Sequence, residues 1–176
     1  MVAATITPTE DQTFDALFGW IATALDLPDD TDQIVKGFQN LVAAPTGSYV
    51  VISPGIKRDQ DTGTRRYDPA TGVQVEERHI TYSYQVDCYG QLGPDRASIL
   101  STAWRSMWGV ENMVSGALTP LYADAPQQLN IVNSEGQFEQ RFMLRLFGQV
   151  NQRVTFGQEY FTDVVFDSLI VADQLP

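Results

Sequence analysis

The feature that most limits how this chain can fold is a long stretch, Val73 to Tyr89, in which apolar and polar side chains alternate. Successive side chains of a β-strand point to opposite faces of the sheet, so a period of two predicts a strand. One face should meet a core and the other should face solvent. The two sets are Ile80, Tyr82, Tyr84, Val86 and Cys88 on one face, and His79, Thr81, Ser83, Gln85 and Asp87 on the other.

Two segments have helical spacing instead. The first runs from about Thr9 to Asp26, and Thr9 and Gln12 have the spacing of a capping box. The second runs from Pro94 to Trp108, with proline in its first turn and Gly109 just after its end. Each carries an apolar face that can pack on a sheet: Phe14, Leu17, Phe18, Ile21 and Leu25 in the first, and Leu100, Trp104, Met107 and Trp108 in the second.

Further strands are predicted on either side of these segments. Ser48 to Ser53 is rich in β-branched residues and is closed by Pro54-Gly55. Ile34 to Leu41 fits a short strand or a helix equally well. The carboxyl-terminal third reads as strands: Asn130–Val132, a turn at 133–136, a strand containing Phe138, Phe142, Leu144 and Leu146, then Val150–Phe156 and Phe161–Val171. We therefore predict one α+β domain over residues 1–176, a mostly antiparallel sheet with helices packed on one face.

The polar stretch from Ile56 to Gly72 is predicted to be a long loop. It carries several arginines, but aspartates are interleaved with them and cancel most of their field. Such a loop suits a protein interface or a solvated surface better than a nucleic-acid contact. The candidate subunit or ring interface residues are Arg58, Asp61, Arg65, Arg66 and Tyr67.

The charge balance limits the partners that can be expected. The formal net charge is -11, with 22 acidic residues against 11 basic ones. Seven of the carboxylates fall between Glu10 and Asp32, before the first basic residue at Lys36. Holding nucleic acid requires clustered Lys and Arg, so specific binding of nucleic acid is not expected. No apolar run approaches the roughly 18 residues of a membrane span, and no secretory signal is recognisable, so we expect a soluble protein without a membrane partner.

Catalytic and metal-binding patterns are not found in the sequence. The only cysteine, Cys88, and the only histidine, His79, fall on opposite faces of the predicted strand, so they cannot form a nucleophile–base pair. The adjacent Glu76 and Glu77 also point to opposite faces. The segment that begins at Asp59 resembles the first half of a calcium loop but lacks the closing glutamate. We expect no catalytic site, no cofactor and no metal.

The order of several segments resembles the phage neck terminator, or tail terminator-like, family over most of the chain from Phe38 to Val171. The segments are Phe38-Gln39-Asn40, Pro45, Tyr49-Val50-Val51-Ile52, Tyr84 to Gly90, the helix with Asp95, Ala97 and Trp104, Phe138 to Phe142, Phe156 to Phe161, and the closing strand. The resemblance lies in the ordered set, since no single segment is a sharp motif.

That resemblance implies a non-enzymatic virion protein of the tailed-phage neck, made in the host cytoplasm. Its subunits would form a ring, expected to be a hexamer, that caps the tail tube and meets the head-tail connector or stopper. Genomic DNA would pass through the lumen without specific binding. The alternatives are a head-side connector, a stopper or another minor tail protein, a soluble enzyme with an unfamiliar site, and a monomeric adaptor that binds other proteins.

Overall fold

A computed structural model describes residues 4–28, 31–38, 45–113, 115–132 and 138–157. Within those ranges the chain forms an eight-stranded sheet and three helices. In chain order the elements are β1 Thr5–Thr7, α1 Glu10–Ala24, β2 Ile34–Lys36, β3 Val50–Asp59, β4 Thr64–Asp68, β5 Val73–Tyr89, α2 Gly93–Trp104, α3 Met107–Glu111, β6 Thr119–Ala123, β7 Gln127–Val132 and β8 Phe138–Gly157.

Two long antiparallel strands, β5 and β8, form the centre of the sheet. Their register is continuous from Val73 opposite Gly157 to Tyr89 opposite Arg141. The order is β1-β8-β5-β3-β2, with β4 also pairing with β5, and β6 and β7 with β8. Only the pair of β2 with β3 is parallel among these pairings. The strand predicted at Val73–Tyr89 and the mostly antiparallel α+β fold are confirmed.

The helices cover one face of this sheet, as the sequence predicted, and tryptophans join the two layers. The Trp20 and Trp104 rings meet edge to face with centroids 4.8 Å apart. The Trp20 indole donates to the Gly109 carbonyl at 2.9 Å, and the Trp104 indole donates to the Phe147 carbonyl at 3.0 Å. Each large ring therefore buries its apolar area while its polar N–H is bonded. The residues beneath them, including Ile80, Tyr82, Tyr84, Val86, Leu144 and Leu146, are buried.

Helix α1 begins as its sequence predicted. The Thr9 hydroxyl accepts from the Gln12 N–H at 3.2 Å, and the Gln12 side chain accepts from the Thr9 N–H at 2.8 Å. Leu17 and Ile21 of the predicted stripe are fully buried, whereas the other members are partly buried. The sequence pattern missed Trp20, which is the largest buried side chain of the helix.

The prediction of one continuous helix from Pro94 to Trp108 was wrong. The chain forms α2 and then a separate short helix, α3, whose first turn is capped by Ser106. Gly109 lies inside α3 because the backbone packs closely there: a Cβ at this position would lie 2.3 Å from the Ala103 carbonyl oxygen. The break rotates Met107, predicted to face the sheet, into solvent, where it is 73% exposed.

The prediction that Pro54-Gly55 ends a strand was also wrong. Strand β3 continues to Asp59 through a register shift between Pro54 and Lys57. The Ser83 side chain of β5 replaces the backbone hydrogen bonds that the register shift interrupts. Its hydroxyl accepts from the Ile56 N–H at 2.7 Å and donates to the Ile56 carbonyl at 3.2 Å. The predicted long loop from Ile56 to Gly72 is therefore the end of β3, a short turn, β4 and a second turn.

The carboxyl-terminal strands differ in extent from their predicted ranges. Strand β8 is continuous from Phe138 to Gly157, where the sequence suggested two strands. Strand β7 begins at Gln127, and β6, which contains Pro120, was not predicted. β1 was not predicted either, and the undecided segment at Ile34 begins as the strand β2. Residues 39–41, the turn at 133–136 and the strand predicted at Phe161–Val171 lie outside the described residues.

The second face of the sheet was predicted to be solvated, but it contains a buried charge. Asp87 is only 2% exposed. Its two carboxylate oxygens accept from Nε and Nη2 of Arg141, both at 2.9 Å, and the Gln85 amide adds a bond of 2.8 Å. The Arg141 guanidinium also lies 5.7 Å from the centre of the Tyr89 ring. Burial of the carboxylate is tolerated because a bidentate arginine compensates its charge.

Removing that arginine should be costly. We expect Arg141→Met to lower the free energy of unfolding by about 3 kcal/mol, because the Asp87 carboxylate would stay buried without its partner. Urea denaturation followed by circular dichroism measures this. Arg145→Met is the matched control, since Arg145 lies on the same face of β8 but is exposed and has no ion pair among the described residues. Equal losses in the two variants would contradict a special role for the Asp87–Arg141 pair.

Two helical glycines should respond to alanine in opposite directions. Nothing lies within 4 Å of a Cβ built on Gly19 in α1. Gly19→Ala should therefore raise the free energy of unfolding by roughly 0.5–1 kcal/mol, because alanine restricts the unfolded chain and suits a helix interior. Gly109→Ala should destabilise, since its methyl group would meet the Ala103 carbonyl. Thermal unfolding compares the variants, and destabilisation by Gly19→Ala would show that this helix face is more crowded than described.

Candidate assembly interface

The five interface residues predicted from sequence lie in the unit formed by the end of β3, β4 and the first half of β5, from Val73 to Thr81. We call this unit the hairpin end. β4 pairs with β5 along Thr64–Asp68, and no strand among the described residues pairs with its other edge. Unpaired edge backbone is a common site for contact with another chain. All five residues of β4 are exposed.

Asp61 holds the turn that precedes β4. Its carboxylate accepts from the Gly63 N–H at 3.0 Å and the His79 N–H at 3.3 Å, and it also pairs with the His79 ring nitrogen Nδ1. The His79 ring is the main cause that lowers the pKa of Asp61, followed in the same direction by the backbone bonds. The Asp61 carboxylate is therefore bonded within its own chain, and His79 is its main hydrogen-bonding partner.

Arg65 is likewise held by its own chain. Its guanidinium donates twice to Glu76 Oε1, at 2.9 and 3.2 Å, and this contact lowers the pKa of Glu76. Both side chains belong to the sheet face on which the helices pack, beyond the helices themselves. On the opposite face Arg153 of β8 pairs with Glu77 at 3.4 Å. The sequence prediction that Glu76 and Glu77 point to opposite faces is confirmed, and each carboxylate pairs with a different arginine.

Arg58 and Arg66 are the free members of the predicted set. Arg58 lies opposite Thr81 and Arg66 opposite Val75, so both occupy the sheet face that no described helix covers. Both are exposed, and neither has an ion pair within the described part of the chain. A depression of about 400 Å³ adjoins Arg66. Tyr67, 39% exposed, stands on the other face of β4.

The turn after β4 is also fixed internally. The Asp68 carboxylate accepts from the Ala70 N–H at 3.0 Å and from the Thr71 hydroxyl at 2.9 Å. The Thr71 hydroxyl is the main cause that lowers the pKa of Asp68. Gly72 closes the turn with φ of 63°, a conformation that glycine adopts readily. The hairpin end is therefore a fixed β-structure, with arginines at defined positions.

Sequence analysis did not identify Arg78 and Arg153 as members of this cluster. Arg153 comes from β8, about 90 residues after β4 in the chain and beside it only through the β5–β8 register. Arg78 approaches Asp59 at 3.9 Å. A local charge pattern could have pointed to Arg78, which lies beside Glu76 and Glu77, but no local signal marks Arg153.

A larger cleft of about 830 Å³ lies between α1 and the stretch of β8 between its pairings with β6 and β1. Trp20 and Gly19 form part of its α1 wall, and Asp15, Glu77 and Arg153 bring charges of both signs. The lining mixes apolar side chains with charges of both signs, and these residues form no grouping that suits one reaction or one ligand class.

The described residues include no metal-binding cluster and no reactive thiol. No group of three or more His, Cys, Asp or Glu residues there is placed to hold a metal ion. Burial raises the pKa of the Cys88 thiol to about 12, so this thiol stays protonated and unreactive. Among the described helices none is long and apolar enough to cross a membrane.

The Asp61–His79 contact predicts a measurable titration. The pKa of the Asp61 carboxyl should lie below its ordinary value in the folded protein and rise toward that value in His79→Ala. Because the folded pKa is the lower one, the contact stabilises the fold above the unfolded pKa, and this contribution is lost as the pH falls through the folded pKa. NMR titration of the carboxyl carbons measures both states. Asp68 is the internal control, since its main partner is Thr71; a parallel change at Asp68 would point to a general unfolding of the hairpin end.

Comparison with solved structures supports the fold. Eight chains match. One is described as an extracellular contractile injection system, the PVC sheath/tube terminator in its extended state. It is 12% identical with a TM-score of 0.51, and the alignment covers 97% of this chain and 66% of that chain. The present chain thus spans just under two thirds of that protein, and at this identity the likeness concerns the fold alone.

Comparison of sequences identifies the family. No curated protein matches the chain. The family described as phage neck terminator protein matches residues 11–170, which is nearly the whole sequence and includes all but the last residue of the range that carries the resemblance. The chain belongs to the phage neck terminator family.

Proposed function

We propose that this protein is a ring-forming subunit that ends the phage tail tube and joins it to the head connector. The observation that carries the proposal is the family match over residues 11–170. The family is one of structural phage proteins of the tail and neck, not a class of enzymes. The fold likeness to a protein described as a sheath/tube terminator supports the same role.

Several features of the chain suit a ring subunit. Subunits in a closed ring make heterologous contacts, so each must present two different surfaces. The hairpin end supplies one of them, because β4 has an open edge and exposed arginines. A hexamer is the proposed stoichiometry, and the virion neck is the proposed location after assembly in the host cytoplasm. The net charge of -11 favours passage of genomic DNA through the lumen without binding, because like charges repel.

The proposed interface residues divide into two roles. Arg58, Arg66 and Tyr67 would contact a neighbour directly, since they are exposed and the two arginines have no partner among the described residues. Asp61 and Arg65 would act indirectly by fixing the turn and the strand through His79 and Glu76. Substitution of the first group should weaken assembly without unfolding the protein, whereas substitution of the second should loosen the hairpin end.

Electron microscopy of mixtures tests the function. Purified protein is added to isolated tail tubes and, separately, to head connectors of the same phage, with native mass determination of the protein alone. The expected result is ring density on one end of the tubes. Density on connectors but not on tube ends would favour a head-side connector or stopper instead. A monomer that binds neither would contradict both roles and leave the adaptor as the reading to pursue.

A further inference from the structure

The outer edge of β4 leaves backbone hydrogen-bonding groups without a strand partner. β4 pairs with β5 from Thr64 opposite Glu77 to Asp68 opposite Val73, and no described strand lies on its other side. Every second residue of an antiparallel strand directs its N–H and carbonyl to the same side, so part of this backbone points away from β5. All five β4 residues are exposed. An open edge of this kind can accept one more strand.

The side chains of β4 indicate what such a strand should carry. Arg66, at the centre of β4, lies on the sheet face that no described helix covers and has no ion pair among the described residues. Asp68 stands two residues away on that face, but its carboxylate is bonded to the Ala70 N–H and the Thr71 hydroxyl. Tyr67 projects from the opposite face and is 39% exposed. A carboxylate opposite Arg66 and an aromatic ring opposite Tyr67 would complement this edge.

The chain has a segment of that composition shortly after β8. β8 ends at Gly157, and the strand predicted at Phe161–Val171 follows it. Seven of the eleven residues in that range are aromatic or β-branched, the side chains that favour strands. Its only charged residues are Asp163 and Asp167, and no basic residue follows Arg153. The segment therefore combines a preference for the extended conformation with carboxylates.

One antiparallel register of this segment on β4 satisfies both requirements. With Asp167 opposite Arg66, the preceding residue, Phe166, falls opposite Tyr67, because the residues of paired strands alternate between the faces together. With Asp163 opposite Arg66 instead, a threonine would face Tyr67 and the aromatic pair would be lost. The first register is therefore the better match.

The depression beside β4 would receive the apolar side chains of such a strand. It holds about 400 Å³, and its lining includes Val73 and Val75 of β5, which are half-buried. In the register with Asp167 opposite Arg66, two apolar residues, Val165 and Leu169, fall on the same face, next to this depression. Their side chains would remove further apolar area from water.

The segment begins close to this edge. Gly157 lies opposite Val73, which lies opposite Asp68, so three strand spacings, about 14 Å, separate β8 from a strand added to β4. The eight residues from Gly157 to Val165 extend to about 26 Å, which is enough to reach an adjacent subunit. Within its own chain the segment would have to pass round the turn between β4 and β5. A neighbouring copy can instead present its edge directly.

We propose that the strand Phe161–Val171 of one copy adds to the β4 edge of the next copy, antiparallel, with Asp167 opposite Arg66 and Phe166 opposite Tyr67. This inference rests on the proposed ring and names one of its contacts. Each copy donates one segment and accepts one, so the contact is heterologous and every β4 edge is covered when the ring closes. Pairing of two β4 edges would instead give a two-fold dimer, and their full overlap would place Arg66 opposite Arg66.

Paired cysteines test the contact and its register. Residues directly opposite each other in a sheet have Cα atoms about 4.5–5.5 Å apart, within the range that a disulfide bridges. R66C is mixed with D167C and, as the matched control, with S168C, whose side chain would point to the other face. The mixtures are oxidised in solution and on isolated tail tubes, and linked peptides are identified by mass spectrometry. The native Cys88 is buried and should not take part.

The expected yields distinguish both the register and the donor. The link between R66C and D167C should exceed that between R66C and S168C by at least about tenfold, because adjacent residues of a strand point to opposite faces. In the double variant R66C/D167C, exchange between copies gives a ladder of linked subunits on a non-reducing gel. Pairing within one chain gives only an internally linked monomer, and that result would overturn the exchange.

Charge reversal tests the same pair without cysteines. R66D and D167R should each weaken assembly about fivefold, because like charges would then lie opposite each other. The double variant R66D/D167R should restore assembly, measured by sedimentation velocity and on tube ends. R145D is the matched control, since Arg145 is an exposed arginine of the same sheet face that lies opposite Gln85, away from β4. Equal weakening by R66D and R145D, or no recovery in the double variant, would overturn the pairing.

The outcomes separate this inference from the proposed function. Wild-type rings on tube ends, with no link between R66C and D167C there, would overturn the strand exchange and leave the terminator role standing. Wild-type protein that assembles neither in solution nor on tubes would overturn the ring and this contact with it. A link between R66C and D167C that is absent with S168C, together with recovery in R66D/D167R, is the result that supports the exchange.

Discussion

Every strand of the described sheet except β2 pairs with β5 or β8, and those two strands pair with each other along their whole common length. This ladder fixes which side chains face the helices, because a slip of one residue would transfer each side chain to the other face. If β5 slipped, Tyr84 and Val86 would leave the core, and Asp87 would enter it beside the tryptophans. The tryptophan contacts between the layers, the Asp87–Arg141 pair and the position of β4 all depend on this one register.

Local signals in the sequence predicted the elements whose structure is decided locally. The capping box of Thr9 and Gln12 and the alternation from Val73 to Tyr89 are both present as expected, because neighbouring residues decide them. The break between α2 and α3 and the continuation of β3 through Pro54 were missed. Each involves a partner that is distant in sequence: Trp20 at Gly109, and Ser83 at Ile56. A single sequence does not show such partners.

The sequence predicted which residues belong to the candidate interface but not how they are arranged. Arg58, Asp61, Arg65, Arg66 and Tyr67 do lie in one unit, yet Asp61 and Arg65 are bound internally and the two free arginines share one sheet face. That division follows from the alternation of β4 and from partners on β5, which the prediction of a loop left out.

The continuous β5–β8 ladder also fixes a distance across the molecule. Its length changes only in whole residues of about 3.3 Å, and only insertions of two in both strands keep each side chain on its own face. The distance between the two ends of the β5–β8 ladder can therefore change only in steps of about 6.6 Å.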